Sequence, residues 1–266
     1  MKAPPRDGDE KGMVLIDTHA HLEDIKDLDG ALKRARKAKV LAVITVGSDY
    51  ETSLWALRNS GEHSSGLRVY PALGIHPWSV SSINAKDLDA LLELMHKNVE
   101  GYVAVGEVGL DYWYRDVRRN PEGRELQKTI FKEMLRIAVE YGKPVSIHSR
   151  GAWRDCLELV VESRVESAVF HWFSGPRDVL DEIIDRGYYI SATPAAAYSK
   201  EHGSAVKNAP LENIVLETDS PVSYKGEVAE PAHVTRTLKA VAQLKGLEEP
   251  YIEEKTTENA RKLFRI

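Results

Sequence analysis

Residues 13–22 read MVLIDTHAHL. An apolar run ends in Asp17 and passes directly into Thr18-His19-Ala20-His21. Continuous apolar residues without in/out alternation are the mark of a strand buried on both faces. An open doubly wound sheet usually places a glycine-rich phosphate loop after its first strand. Here two histidines stand in that place. At the end of a strand, residues i and i+2 point the same way, so both imidazoles can reach one metal ion.

The pattern recurs along the chain. Strand-like runs are read at Val14–Asp17, Ala42–Gly47, Arg68–Gly74, Tyr102–Glu107, Val145–His148, Ala168–His171, Tyr188–Ala192 and Ile214–Glu217. Helical patterns follow at Asp29–Ala38, Glu51–Asn59, Ala85–Lys97, Glu122–Tyr141, Ala152–Ser163, Arg177–Asp185, Glu230–Leu244 and Glu253–Lys262. Asn84 is placed to cap the third helix, and Gly142 with Pro144 punctuates the end of the fourth. A strand–helix alternation repeated eight times predicts an α/β fold, a (β/α)8 TIM barrel, as a single domain over 13–266. Residues 1–12 (MKAPPRDGDEKG) are polar, with two prolines and two glycines, and read as a flexible tail rather than a signal peptide.

Composition agrees. The chain has 266 residues, 42% of them hydrophobic and 29% charged, with a net charge of -5. Those fractions exclude disordered and fibrous classes. No stretch approaches a membrane-spanning length, and the sequence points to no obligate protein partner. The one cysteine, Cys156, cannot form an internal disulfide, which predicts a cytoplasmic home. The mildly acidic balance argues against nucleic acid held by general surface charge. A local site would have to do the holding.

Barrel active sites lie at the C-terminal ends of the strands. Five of the nine histidines fall there: His19, His21, His76, His148 and His171. Glu107, Asp111, Arg150 and Asp219 follow strands four, five and eight. His63, His96, His202 and His233 lie in polar loops or helices and are read as surface. Imidazole plus carboxylate suits a borderline divalent metal. Six donors (His19, His21, Glu107, His148, His171 and Asp219) exceed the four of a structural zinc site. They suffice for two cations sharing a carboxylate, with Glu107 as the bridge. Two such cations activate water and stabilise a displacement at phosphorus, which is hydrolytic chemistry.

The blocks IDTHAHL (16–22), ALGIHP (72–77), GEVGLDY (106–112), PVSIHSR (144–150), FHWFSG (170–175), LETDSP (216–221) and TTENARKLF (256–264) stand in order. With them the chain resembles the TatD family of metal-dependent deoxyribonucleases, in the amidohydrolase superfamily, from about Val14 to Phe264. The strand-four position is Glu107 and not a lysine, unlike superfamily branches that bridge their metals with a carbamylated lysine. The resemblance implies one metal on His19, His21, Glu107 and Asp219, and a second on Glu107, His148 and His171. The metal is one of Zn, Mn, Mg, Fe or Co. It further implies cleavage of phosphodiester bonds in DNA, trimming single strands or strand ends from the 3′ side. The chain departs from many relatives at Trp172, where a small residue is common, and at Ala229, where an Arg or Asn often precedes Glu-Pro.

Asp219 is expected to contact metal one and to act as general base. Glu217 is expected to orient a ligand histidine. His76 and Arg150 are candidates for phosphate contact, a guanidinium matching phosphate oxygens as a fork. Asp111 is expected to bond a ligand or the substrate. Tyr112, Trp113 and Tyr114, with Arg115, Arg118 and Arg119 behind, suit base stacking or packing over the helix layer. The alternative activity is a metal-dependent hydrolase of esters, amides or aminoacyl-tRNA, because two metals and a water do not choose between phosphorus and carbon.

Overall fold

A computed structural model describes residues 14–266. The tail read at residues 1–12 lies outside them. Eight strands form the barrel: β1 (Leu15–Ala20), β2 (Val40–Val46), β3 (Arg68–Leu73), β4 (Ala104–Gly109), β5 (Val145–His148), β6 (Ala168–Phe170), β7 (Tyr189–Ala192) and β8 (Ile214–Leu216). They pair in chain order and all in parallel. The helices are α1 (Leu28–Lys37), α2 (Tyr50–Arg58), α3 (Ala85–Lys97), α4 (Pro121–Glu140), α5 (Trp153–Glu162), α6 (Arg177–Asp185), α7 (Lys200–Asn208), α8 (Val234–Lys245) and α9 (Glu249–Phe264).

Local chemistry sets these elements. Asn84 caps α3 as expected, accepting from Asp87 N at 3.0 Å. Asp49 and Thr52 form a capping box on α2. Pro121 opens α4 behind Asn120, and Gly142 follows at φ +61, a left-handed position that glycine occupies freely. Some elements escape the sequence reading, among them α7, a hairpin near residue 225 and the short strand Gly61–Glu62 antiparallel to β3. α7 (KEHGSAVKN) has a polar composition and a central glycine, so its helical period is faint. A hairpin of two-residue strands, Ser223–Tyr224 and Glu227–Val228, turns on Lys225 and Gly226, both at positive φ. The last helix begins at Glu249 rather than Glu253, with Pro250 in its first turn.

The barrel has two apolar layers. Leucine, valine and phenylalanine side chains fill the space between strands and helices, Phe131, Phe170 and Leu135 among them. A second cluster fills the interior: Ile16, Ala42, Ile44, Ala104, Val169 and Val215, joined by Ala260, Leu263 and Phe264 of α9. No described helix is long and apolar enough to cross a membrane.

The ring closes between β8 and β1, and it closes differently from the other seams. Only one parallel bridge forms, Ala20 to Ser220. Asp219 N donates to His19 O at 2.9 Å, and His21 N to Ser220 O at 2.7 Å. Side chains supply the rest. Buried Asp17 accepts from Thr218 N (2.9 Å) and Thr218 Oγ1 (2.6 Å), while Thr18 Oγ1 donates to Leu216 O (2.9 Å). Burial pushes the Asp17 carboxyl well up, against these bonds. The seam thereby fixes His19, His21 and Asp219 relative to one another.

Candidate metal centre

The centre is organised around one carboxylate. Glu107 lies in the second half of β4 and is only 1% exposed. Its Oε2 faces His19 Nε2 at 3.2 Å and His21 Nε2 at 3.4 Å. Its Oε1 faces His148 Nδ1 at 2.7 Å, His171 Nε2 at 3.1 Å and His76 Nε2 at 3.4 Å. Asp219 Oδ1 lies 3.7 Å from His19 Nε2 and 3.6 Å from His21 Nε2. All six donors expected from the sequence therefore meet at one rim, in groups close enough to hold a cation. His76 joins them.

The far nitrogens are engaged, which sets tautomers. His171 Nδ1 meets Glu217 Oε1 at 3.1 Å, leaving the Nε2 lone pair toward the centre. His148 Nε2 meets Asp111 Oδ2 at 3.0 Å, leaving Nδ1 inward. His19 Nδ1 lies 3.3 Å from Ser146 Oγ. His76 differs. Trp78 N donates to its Nδ1 at 3.0 Å, so in the neutral ring the proton sits on Nε2 and points at the centre. Burial pushes His76 down to about 4, against the pull of Glu107, so the ring is neutral at physiological pH. With all rings neutral, it presents an N–H where His148 and His171 present lone pairs.

Electrostatics follow from packing imidazoles around a buried acid. Burial alone would raise Glu107, but His76, His171, His19 and His148 outweigh it and hold the carboxyl well below its ordinary range. Burial opposes charge on His171 and on His21. Glu107 and Glu217 outweigh it at His171, and Glu107, Glu23 and Asp219 at His21, so both imidazoles lie well above their usual value. Burial raises Asp219 despite the surrounding histidines. A cation entering this nest takes the place of protons.

Asp111 is a hub. Its side chain is fully buried and spends its oxygens on the protein: His148, Trp78 Nε1 at 2.6 Å, Arg150 Nη2 at 2.9 Å, and the amides of Trp113 (3.0 Å) and Tyr114 (2.9 Å). Burial would raise its carboxyl, but these bonds, His148 first, hold it far down. It contacts His148 and not the cavity lining. Arg150 is 43% exposed on its side chain and lines the cavity beside His76 and His148.

Glu217, expected to orient a histidine, lies against His171, and it also accepts from Trp172 N at 3.1 Å. Trp172 and Asp219 both take left-handed backbone, at φ +43 and +49. For a bulky residue that is strained, of the kind that collects at functional sites. Ala229 is buried beneath Trp172 and Tyr224, and Glu230 pairs with Arg34, so only Pro221 and Val222 of this stretch reach the cavity. One surface reading is corrected. His202 is fully buried on α7, its Nε2 accepting from Thr193 N (3.1 Å) and its Nδ1 meeting Phe173 O (2.8 Å). Because α7 itself is illegible in the sequence, nothing marked its histidine as internal.

A parallel α/β barrel with imidazoles and carboxylates gathered at its strand ends defines the class of metal-dependent hydrolases. The comparisons narrow it. Residues 16–265 match the family of TatD related DNases. Human deoxyribonuclease TATDN3 is 33% identical over 263 residues, 95% of each chain. The metal-dependent hydrolase YabD of Bacillus subtilis is 31% identical, covering 95% of this chain and 100% of its own. The crystal structure of YJJV, a TatD homologue from Escherichia coli, superposes with a TM-score of 0.85 at 25% identity, covering 95% of this chain and 98% of that one. The chain belongs to the TatD family, and it is a metal-dependent hydrolase.

Proposed function

We propose that the protein hydrolyses phosphodiester bonds of DNA, trimming single strands or strand ends from the 3′ side, with two divalent cations sharing Glu107. The observation that carries this reading is the division of labour on Glu107. Oε2 faces the Nε2 atoms of His19 and His21, which Asp219 Oδ1 also approaches, and Oε1 faces His148, His171 and His76. Two donor groups sharing one buried carboxylate fit two cations, with His19, His21, Glu107 and Asp219 on one and Glu107, His148 and His171 on the other. When bound, such cations lower the pKa of water and neutralise phosphate oxygens.

The protein's own groups do the rest. Asp219, beside His19 and His21, takes the proton of the attacking water as general base. His76 offers its Nε2–H as a hydrogen-bond donor to a phosphate oxygen, the role its tautomer leaves it. Arg150 offers the guanidinium edge not spent on Asp111. Asp111 and Glu217 orient His148 and His171. The human relative is named a deoxyribonuclease, which favours DNA over esters or aminoacyl-tRNA. The buried single thiol, Cys156, fits a reducing cytoplasm.

Two measurements test the reading. Elemental analysis of protein purified without oxygen should return two divalent ions per chain. Oligonucleotides labelled at the 5′ end should shorten by single steps when the metals are present and stay intact in chelator. Exclusive shortening from the 5′ side would overturn the polarity, and cleavage of carboxyl esters or aminoacyl-tRNA without DNA cleavage would overturn the substrate.

A further inference from the structure

A cavity of about 640 Å³ opens over the metal donors, within the range of ligand pockets. Four of the chain's five tryptophans line it: Trp78, Trp113, Trp153 and Trp172. Three of them serve the protein. Trp78 donates to Asp111 and lies on Tyr114, ring centroids 5.4 Å apart at 16°. Trp153 sits half-buried at the start of α5. Trp172 packs against Tyr224 at 5.5 Å.

Trp113 is different. At 57% it is the most exposed of the four. Yet it is fixed. Its amide is bound to Asp111 Oδ1 at 3.0 Å. Its ring rests on the backbone of Gly151, so closely that a Cβ there would lie 2.5 Å from the ring. Gly151 sits at φ +71, and the edge of Trp153 meets Trp113 at 5.5 Å and 89°. An ordinary exposed tryptophan is loosely held. This one is held by its amide bond to Asp111 and by packing on Gly151 and Trp153, with much of its apolar surface in solvent, on the wall of the cavity over the candidate centre. Its neighbours Tyr112 and Tyr114 turn away. Tyr112 donates to Asp155 at 2.7 Å and lies under Arg124, and Tyr114 serves Trp78.

We propose that the free face of Trp113 is a stacking platform for an unpaired nucleobase of the strand whose phosphate lies at the centre. The inference rests on the phosphodiesterase reading above and adds the group that recognises the substrate. Arg150, one residue before the Gly151 seat, links the platform to Asp111 and the phosphate side. Arg118 and Arg119 are exposed in the same loop and form no ion pair among the described residues, which leaves them for the next phosphates. A base inside a duplex has both faces covered, so the platform selects unpaired ends. Stacking accepts every base, because each has a π face, and trimming requires that tolerance.

The test compares two labelled strands of equal length on the metal-loaded protein, one carrying bases and one abasic throughout. The wild type should cleave and bind the base-bearing strand better by roughly ten-fold or more, the size of one stacking contact. Trp113→Ala should shrink that preference toward one, chiefly through KM, and Trp113→Phe should restore part of it. Equal handling of the two strands by the wild type overturns the platform while leaving the phosphodiesterase reading intact. So does a preference that survives Trp113→Ala. If neither strand is cleaved, the phosphodiesterase reading fails, and polarisation binding of the same strands still decides the platform: a base-dependent, Trp113-dependent affinity upholds it and its absence refutes it.

Discussion

At the N-terminal end of the barrel, α9 closes the interior with Ala260, Leu263 and Phe264, against Ile16, Ala42 and Val215. Thr257 Oγ1 donates to Val14 O at 2.7 Å and Asn259 Nδ2 to Ile214 O at 2.8 Å, pinning that plug to the starts of β1 and β8. At the C-terminal end, the same strands deliver His19, Glu107, His148, His171 and Asp219 into one buried cluster. One end buries apolar surface, which stabilises without preference for any ligand. The other buries titratable groups whose desolvation is offset only by each other or by a cation. Stability and chemistry are thereby assigned to opposite ends of one set of strands, as barrel enzymes generally arrange them.

The sharpest way to break this comparison is at the C-terminal end. His19→Ala together with Asp219→Ala should abolish activity, read with a labelled oligonucleotide, while the thermal midpoint of the metal-free protein changes far less. Asp111→Asn and Glu217→Gln, which touch His148 and His171 on their outer nitrogens, should each cost roughly 10- to 100-fold in metal affinity or activity. Full nuclease activity in the double variant would refute the site.

The converse holds at the other end. Phe264 is 2% exposed, and Phe264→Ala should destabilise by about 3–5 kcal/mol and lower Tm by roughly 10 °C. Its kcat, measured well below that Tm, should match the wild type. A fall in kcat without a fall in Tm would show that the two ends are not separate.

His202 sharpens the comparison between the ends. It bridges the β6 and β7 loops through Phe173 O and Thr193 N, and burial pushes it from 6.5 to about 4. The folded state thus holds this proton less tightly than the unfolded chain. The stability it contributes is complete above about pH 6.5 and is lost as the pH falls toward 4. That gap is worth roughly 3 kcal/mol. Denaturant midpoints at pH 7 and pH 4, on metal-free wild type and His202→Gln, should show a correspondingly smaller acid loss in the variant. Parallel losses would sink the assignment.

The barrel was legible because buried parallel strands are continuous apolar runs, and IDTHAHL placed His19 and His21 at the end of the first. The donors at the other strand ends followed from the same positional rule. What escaped has physical reasons. α7 hides because its nine residues are polar outside and small inside, so His202 looked like a surface histidine. Asp17 looked like the end of a strand, and its part in closing the β1–β8 seam depends on Thr218, 201 residues away. The proton on His76 depends on one backbone amide, Trp78 N, which no residue pattern reports. Tyr112, Trp113 and Tyr114 read as one aromatic patch. Only packing shows that a single member of the three faces the cavity.

The smallest effect is expected at Cys156, which lies on α5 directly behind the centre. Its Sγ is 3.5 Å from His148 O, and the thiol is buried. Burial pushes its pKa far up, so at neutral pH there is almost no thiolate to react. Contact with the His148 backbone is not contact with its imidazole. Cys156→Ala should therefore cost about 1 kcal/mol of stability through lost packing and leave kcat unchanged. Thiol reagents should modify the folded protein only as fast as it opens. Rapid modification of folded protein with loss of activity would place the thiol within reach of the centre and contradict the boundary drawn between the helix layer and the strand ends.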